Sequence, residues 1–367
     1  MRILHLDYDD LGHPWGGGQA RRTFEINRRL AAEHGWEITV VTGRYPGAAA
    51  REVAVPRGRL RYERLGGGPF PLGVLSFLAL LPLAARRVAH DLLVEDFTTP
   101  IGPALAPRWT RRPAIGSAQF LFAGEMGRKY HLPLAQVEAR ALRCYRWLIA
   151  LTQAGAQHLQ ARAPQAEIAV IPQGLDRADL APPEAIDGSG EHVLYLGRLD
   201  LHQKGLDVLL RAWSLLADGK RPPLVLAGEG RDRRRVEQLV VALGLGATVR
   251  LAGRVGGEAK RRLLHGARLV CLPSRYETFG IAAIEALAAG KPLVATSVPG
   301  LAEAAARGAL LVPRDDAAAL AAAVSRVWHD RELRVQLGRE GRAAVEPLTW
   351  DAIAAQQAAF YRRVVGA

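Results

Sequence analysis

Two glutamates of one loop-and-helix segment, Glu277 and Glu285, stand eight residues apart. A predicted strand ends at Pro273, so Glu277 falls in the following loop, and the helix that opens at residues 279–281 carries Glu285. Eight helical residues span about 12 Å, too far for two carboxylates to share a metal ion. That length is close to the distance from a sugar through a diphosphate to a ribose. Because carboxylates accept hydrogen bonds from hydroxyls, one glutamate is suited to hold a ribose and the other a hexose.

The alternative for this segment is a capped amphipathic helix whose glutamates are simply exposed. Glu285, however, stands inside the apolar run IAAIEALAAG, where a carboxylate without a partner would be costly. The backbone N–H groups of residues 279–281 would meet phosphates at the positive end of the helix. A functional carboxylate is therefore the favoured interpretation.

Arg198 and Lys204 open another predicted strand-to-helix loop, GRLDLHQKGLDVLL. Together they could neutralise a diphosphate, the arginine through a bidentate fork and the lysine as a point charge. A solvated helix start is the usual reading of two such cations. Lys204 stands out because only five of the 49 basic residues are lysine.

A third loop, HPWGGGQARR, follows the first predicted strand and contains Gly16, Gly17 and Gly18. Bare backbone N–H groups before a long helix can approach a phosphate. The pattern is neither G-x-G-x-x-G nor a Walker loop. On its own it predicts a flexible turn as readily as a phosphate site.

These loops require strands and helices that alternate along the chain. Continuous apolar runs, typical of parallel strands covered on both faces, alternate with alanine- and leucine-rich helices. The predicted strands are residues 2–7, 36–42, 91–97, 113–119, 147–152 and 167–172, then 192–197, 223–228, 248–253, 268–273, 292–297 and 309–313. Such repeats predict two doubly wound α/β domains with ligand loops at the carboxyl ends of the strands. The domain boundary is expected near Pro172, with a linker over residues 172–191.

Composition limits the class of protein. A chain of 367 residues fits two domains of roughly 150 residues each. Two cysteines, Cys144 and Cys271, argue against a disulfide scaffold or a zinc site. The N-terminus lacks the apolar core of a signal peptide, which predicts a cytoplasmic location. The net charge of +13 suits phosphorylated ligands or an anionic membrane as well as nucleic acid.

The ordered set of motifs resembles the family 4 glycosyltransferases. It comprises the glycines 16–18, G-R-L-D-x-x-x-K-G (197–205), A-G-E-G (227–230), E-x-F-G-x-x-x-x-E-A (277–286) and G-K-P-L-V-A-T (290–296). The resemblance covers nearly the whole chain and is most specific in the second half. It implies a GT-B architecture of two Rossmann-like domains facing across a cleft. Residues 1–172 would bind the acceptor, with a C-terminal helix near 350–367 packing back on them, and residues 173–349 would bind a nucleotide-sugar.

The resemblance also implies roles for individual residues. Arg198 and Lys204 would hold the diphosphate, and Glu285 the ribose. Glu277, with the N–H groups of Phe279, Gly280 and Ile281, would meet the donor sugar and phosphate. Arg254 and Val255 would contact the base of the nucleotide. Gly17 and Gly18 would contact its phosphates.

One position departs from the family pattern. Many members carry a histidine at the end of the strand predicted over residues 113–119, pointing at the donor sugar. Here Gln119, or as an alternative Ser117, occupies that point. Glutamine can hydrogen-bond a sugar hydroxyl but cannot become cationic, so we count Gln119 among the expected catalytic residues with a changed local chemistry. His131 is a second alternative.

The function implied is retaining transfer of a hexose from a UDP- or GDP-sugar to a hydroxyl acceptor, with no metal and no other cofactor. The acceptor would be a sugar, a lipid-linked molecule or a small molecule of bacterial envelope glycan, glycolipid or natural-product synthesis. A front-face mechanism is the working hypothesis. A nucleotide-sugar epimerase of the same fold is an alternative. A non-enzymatic nucleic-acid binder is another, but no recognition-helix signature supports it.

A membrane contact is the last expectation. The apolar residues 72–84 lead into Arg86 and Arg87, and Pro82 should kink or shorten a helix there. A helix buried against the sheet is the favoured reading, since buried helices are apolar all round. The alternative is peripheral docking on an anionic leaflet at the inner membrane face.

Overall fold

The computed structural model describes residues 1–13, 17–69, 72–97, 105–118, 127, 131, 133–217, 221–305 and 307–367. The chain forms two compact units. Unit 1 comprises Met1–Gly174 and Trp350–Ala367, and unit 2 comprises Leu175–Thr349. The chain thus crosses from one unit to the other at Gly174 and returns at Thr349.

Unit 1 contains a sheet of eight strands in the order β3-β4-β2-β1-β5-β6-β7-β8. The strands are β1 (Arg2–Leu6), β2 (Glu37–Gly43), β3 (Arg51–Val53), β4 (Arg59–Leu65), β5 (Leu92–Asp96), β6 (Ala114–Ala118), β7 (Trp147–Ala150) and β8 (Glu167–Val170). All neighbouring pairs are parallel except β3 with β4. Strand order reverses between β1 and β5, which makes their carboxyl ends the switch point where doubly wound sheets bind ligands.

The hairpin of β3 and β4 was not among the predicted strands. β4 alternates, with Leu60 and Tyr62 buried between charged residues, and β3 is a three-residue strand at the sheet edge. Alternation of this kind is typical of a half-buried strand. Charged residues at the intervening positions mean that β4 contains no continuous apolar run.

The helices that the structure describes in unit 1 are α1 (Gly18–His34), α2 (Leu72–Arg87), α3 (Leu134–Leu142), α4 (Gln153–Arg162) and the C-terminal α13 (Trp350–Gly366). Of these, α1, α2 and α4 contact strands of the sheet. α13 lies against α1, where Arg29 Nε donates to Asp351 Oδ1 over 2.5 Å. α1 ends at Gly35, whose φ of +67° is readily adopted by glycine at a helix C-terminus.

Helix α2 is buried on one face only. Val74, Phe77 and Leu81 pack into the core, while leucines of the opposite face stay exposed. The expected helix packed against the sheet is thus present, in contact with β2 and β4, although only one of its faces is buried. It continues through Pro82 to Arg87. Among the helices that the structure describes, none is long and apolar enough to cross a membrane.

Unit 2 contains a fully parallel sheet of six strands in the order β11-β10-β9-β12-β13-β14. The strands are β9 (His192–Leu196), β10 (Leu224–Ala227), β11 (Val249–Gly253), β12 (Ala267–Leu272), β13 (Leu293–Thr296) and β14 (Ala309–Val312). The helices are α5 (Leu201–Lys204), α6 (Leu206–Leu215), α7 (Arg233–Ala242), α8 (Gly257–Gly266), α9 (Ile281–Ala288), α10 (Pro299–Ala305), α11 (Ala317–His329) and α12 (Arg331–Val345). Each strand predicted from an apolar run is present within two residues of its expected ends. The switch point of this sheet lies between β9 and β12.

Candidate functional site

The loop from β9 to α5 places Arg198 at the switch point of unit 2. Its carbonyl accepts a hydrogen bond from the Tyr195 hydroxyl at 2.6 Å, and its Nη2 donates to Gln203 Oε1 at 2.7 Å. Asp200 caps α5 by accepting from the Gln203 N–H at 2.8 Å. The guanidinium is therefore anchored to α5, the short helix that also carries Lys204.

Lys204 contacts Glu277, so two residues that were predicted separately form an ion pair. Ser274 Oγ also donates to Glu277 Oε1 at 3.1 Å. Both side chains of the pair are largely buried, with 14% and 17% exposed. The close approach depends on Gly205, which has a φ of +64° and whose Cβ, if it had one, would lie 2.1 Å from the Pro273 carbonyl oxygen.

Arg275 joins the loop after β12 to the start of α6. Its guanidinium donates to both carboxylate oxygens of Asp207, at 2.9 and 2.8 Å, and to the Leu201 carbonyl at 2.8 Å. Its Nε donates to Asp315 at 2.5 Å. Partial burial works to raise the pKa of Asp207, but the hydrogen bonds and the positive charge of Arg275, with smaller contributions from the backbone and Arg211, together hold that pKa below its usual value. Arg275 therefore fixes the chain on both sides of the Lys204–Glu277 pair.

The N-terminus of α9 follows a glycine in a left-handed conformation. Gly280 has φ +94° and ψ +63°, and an added Cβ would lie 2.9 Å from Leu301 Cδ1. Phe279 is buried beside it, and Ile281 begins the helix. Gly300 of α10 lies close to the same turn, since a Cβ there would come within 2.4 Å of the Glu277 carbonyl oxygen. The first N–H groups of a helix have no partner within the helix itself and are suited to an anion.

Glu285 lies one turn further along α9 and pairs with Lys260 of α8. Lys260 Nζ is 2.7 Å from Glu285 Oε1, and the two side chains are 15% and 13% exposed. A cavity of about 20 Å³ adjoins them and is lined also by Asp179 and Arg261, whose side chains are 2.8 Å apart. Space of this size holds about one water molecule. Glu285 is therefore paired, as its apolar surroundings require.

The other predicted site residues lie on other segments of the chain. Arg254 is exposed and Val255 half-buried in the loop between β11 and α8. Gly17 is the extended residue before α1, and Gly18 is its first residue. Gly16 and Gln119 lie outside the described residues, so the position expected to carry the family's histidine is not described. Ser117, the alternative at that point, is a buried residue of β6.

Lys260 and Arg275 were not predicted as site residues. The scarcity of lysine that singled out Lys204 applied equally to Lys260, whose partner Glu285 is 25 residues away. Arg275 had no such signal, because arginine is abundant in this chain and both of its acidic partners are at least 40 residues away.

The arrangement supplies two cations, a helix N-terminus and two carboxylates along the carboxyl edge of one parallel sheet. Cations and N–H groups bind phosphate oxygens, and carboxylates bind sugar hydroxyls. Within the described ranges, no group of three His, Cys, Asp or Glu side chains is placed to hold a metal ion. The chain has two doubly wound units, and unit 2 carries the cations, the helix N-terminus and the carboxylates. This combination is typical of the GT-B glycosyltransferases.

Comparison with known sequences identifies the family. Residues 16–179 match the family described as Glycosyltransferase Family 4, and residues 176–344 match Glycosyl transferases group 1. The two matches overlap by a few residues and together span most of the chain, which belongs to the family 4 type of glycosyltransferases. The predicted family and enzyme class are thus confirmed.

Individual relatives agree. A phosphatidyl-myo-inositol mannosyltransferase of Mycolicibacterium smegmatis is 33% identical over 219 residues, 58% of this chain and 56% of the relative. The chain spans about half the length of the first curated relatives that it matches.

Solved structures confirm the GT-B fold. Sucrose-phosphate synthase from Thermosynechococcus elongatus has a TM-score of 0.83 and 25% identity, covering 100% of this chain and 99% of that one. Anabaena Alr3699/HepE, crystallised with UDP and glucose, has a TM-score of 0.76 and 20% identity, covering 99% and 100%.

Proposed function

We propose that this chain transfers a hexose from a nucleoside diphosphate sugar to a hydroxyl acceptor, with retention of configuration. The observation that carries the proposal is the Lys204–Glu277 ion pair beside the N-terminus of α9, with Glu285 on the same helix. The mycobacterial relative is a mannosyltransferase by name, which supports transfer of a hexose.

In this proposal the cations act on the leaving group. Negative charge grows on the diphosphate as the bond to the sugar breaks, so Arg198 and Lys204 stabilise the transition state more than the bound donor. When the donor binds, Lys204 leaves Glu277 and contacts a phosphate oxygen instead. The Glu277 carboxylate is then available to accept a hydrogen bond from a hexose hydroxyl. Two fixed cations and the helix N-terminus provide this stabilisation without a metal.

Retention is proposed through a front-face route. The acceptor oxygen attacks from the side on which the diphosphate departs. A departing phosphate oxygen takes the proton of the acceptor hydroxyl, so no separate protein base is needed. The reaction forms one glycosidic bond, breaks one sugar–phosphate bond and releases a nucleoside diphosphate.

The donor is tested with a panel of UDP, GDP, ADP and their sugars. UDP has support from the Anabaena protein of the same fold, which was crystallised with it. A nucleotide held at 100 times its Kd should stabilise the folded protein by about 2.7 kcal/mol. A panel in which no nucleotide changes the melting temperature would contradict the donor site.

The reaction itself is tested by incubating the selected donor with candidate acceptors and assigning the anomeric configuration of the product by NMR. We expect the configuration of the donor to be kept. Lys204→Met should abolish most turnover, whereas the control Arg235→Met, at a side chain that is 76% exposed, should not. An inverted product would refute retention, and formation of a C2 epimer without transfer would replace the proposal with epimerisation.

We also propose that α2 docks on an anionic leaflet at the cytoplasmic face of a membrane. Its outer face exposes Leu72, Leu75, Leu80 and Leu83, at 59%, 53%, 37% and 41%. Arg86 and Arg87 are exposed at the end of the same helix. Apolar side chains beside cations suit a surface of anionic lipid, and such docking would give access to a lipid-linked acceptor.

Liposome sedimentation tests this contact. Each arginine near an anionic surface contributes about 1 kcal/mol, so binding should fade with added salt and in Leu75→Glu. The control Val241→Glu alters an exposed apolar residue in unit 2 and should leave binding intact. Equal pelleting with neutral and anionic vesicles at low salt would end the membrane proposal and favour a soluble acceptor.

A further inference from the structure

Two buried aspartates face each other at the switch point of unit 1. Asp7 follows β1 and Asp96 ends β5, and the two are 0% and 2% exposed. The hydroxyl of Thr23, on α1, lies between them. Thr23 Oγ1 is 2.7 Å from Asp7 Oδ2 and 2.8 Å from Asp96 Oδ2.

The number of protons decides what this contact can be. A threonine hydroxyl has one hydrogen to donate and lone pairs with which to accept. If both carboxylates were ionised, the hydroxyl would donate its hydrogen to one carboxylate oxygen. Its lone pairs would then face those of the other carboxylate oxygen at hydrogen-bond distance, which is repulsive. A second proton on one of the two aspartates turns both contacts into hydrogen bonds.

The neighbours of Asp96 show which aspartate is ionised. His5 Nε2 is 3.1 Å from Asp96 Oδ2, and the Asn27 amide nitrogen donates to His5 Nδ1 at 2.8 Å. With Nδ1 accepting, the histidine proton is on Nε2 and is donated to Asp96. Asp96 Oδ2 thus accepts from both His5 and Thr23, as an ionised carboxylate does. The extra proton therefore belongs on Asp7 Oδ2.

We propose that Asp7 is held as a neutral carboxylic acid, donating to Thr23, and that in this form it positions the first turn of α1. Its other oxygen, Oδ1, accepts from Gln19 Nε2 at 2.9 Å and from the Asp9 N–H at 3.0 Å. Gln19 lies in the first turn of α1, and Asp9 in the loop that leads to it. Asp7 is therefore a positioning residue at the carboxyl edge where this unit is expected to bind ligand.

The charges around the pair support this assignment. Burial, and then the charges of Asp96 and Asp9, raise the pKa of Asp7 well above its usual value. Burial also opposes ionisation of Asp96, but His5 and the hydrogen bonds from Ser117 and Thr23 outweigh it, and the pKa of Asp96 lies below its usual value. Among the residues that the structure describes, Arg22 of α1, Tyr62 of β4 and Tyr361 of α13 are further titratable groups that interact with the pair.

The protonation state is tested first by infrared spectroscopy of the full chain at neutral pH, which needs no substrate. A protonated carboxyl has a carbonyl stretch well separated from the carboxylate bands. We expect such a band in the wild type and in the control Asp351→Asn, at an exposed residue of α13, but not in Asp7→Asn. Asparagine can donate to Thr23 and accept from Gln19 as the neutral acid does, so Asp7→Asn should fold. A missing band in the wild type, or an unfolded Asp7→Asn, would overturn the assignment.

The positioning role rests on the proposed function and is tested in a separate experiment, in which kcat/KM of the wild type and the variants is measured as a function of pH. At neutral pH, Asp7→Asn should stay within about twofold of the wild type, whereas Asp96→Asn, which removes a charged acceptor, should lose about tenfold or more. The wild type should lose activity at alkaline pH as Asp7 ionises, and Asp7→Asn should lack that loss. If kcat/KM fell in the same way at alkaline pH in the wild type and in Asp7→Asn, the positioning role would be refuted. The infrared result does not depend on the proposed donor, acceptor or stereochemistry.

Discussion

Replacing Glu285 by alanine separates ligand binding from folding, because this carboxylate has both a proposed ligand and a partner in the chain. If Glu285 accepts two ribose hydroxyls, Glu285→Ala should weaken nucleotide binding by about 1–3 kcal/mol, which is about 5- to 150-fold in Kd. The same change leaves the ammonium of Lys260 without its partner at 2.7 Å. Breaking a fully buried pair costs about 3–5 kcal/mol. With 15% of the lysine side chain exposed, the expected loss of stability is smaller, about 1–3 kcal/mol.

A second substitution distinguishes the two effects. Lys260→Met in the Glu285→Ala background removes the unpaired charge, so much of the lost stability should return. Nucleotide affinity should not return, because the hydroxyl acceptor is still missing.

Affinity would be measured by titration calorimetry and stability by urea unfolding, with Glu340→Ala of α12 as the control. A folded Glu285→Ala with wild-type affinity would remove Glu285 from the nucleotide site. Recovery of affinity in the double variant would show that the single substitution acted only by disturbing Lys260.

Three further predictions follow from the same geometry. Lys204→Met, and likewise Arg198→Ala, should lower turnover by about 10²-fold while changing donor affinity much less; single-turnover kinetics check this, and unchanged turnover would refute the diphosphate role. Gly280→Ala should destabilise the protein by about 1–3 kcal/mol, because an L-residue is strained at φ +94° and its Cβ would press on Leu301; a wild-type urea midpoint would contradict this. Asp7→Asn should become more stable relative to the wild type as pH rises from about 4 to 7, by up to about 1.4 kcal/mol per unit, because the unfolded aspartate releases its proton in this range while the folded one keeps it; a stability difference that does not vary with pH would contradict the raised pKa.

The sequence allowed prediction of those parts of the fold that depend on local pattern. Buried parallel strands are continuous apolar runs, so β9 and β12 could be placed, and with them the loops that carry Arg198 and Glu277. The β3–β4 hairpin could not be placed in the same way, since Leu60 and Tyr62 of β4 alternate with charged residues and β3 is a three-residue edge strand. A search for period-two alternation would have detected β4.

The candidate site was predictable where chemistry resides in one segment, as it does for Glu277 and Glu285. Its pairs were not, because a pair depends on which loops the sheet order brings together. Lys260 reaches Glu285 from a separate helix. The proton on Asp7 depends on Thr23, which lies 16 positions further along the chain, and on Asp96, which lies a further 73 positions beyond Thr23. A buried ionisable residue in a sequence signals that a partner exists, but it does not say which residue that partner is.

The contacts of Arg275 have a consequence for how the site opens. One guanidinium is bonded to the start of α5, to α6 through Asp207 and to the turn after β14 through Asp315. These segments cannot loosen one at a time without leaving a partly buried charge unsatisfied. Their amide hydrogens should exchange with solvent as one cooperative unit, with similar opening free energies. Helix α5, which carries Lys204, is then already ordered before any donor binds, so little conformational entropy is lost when it does.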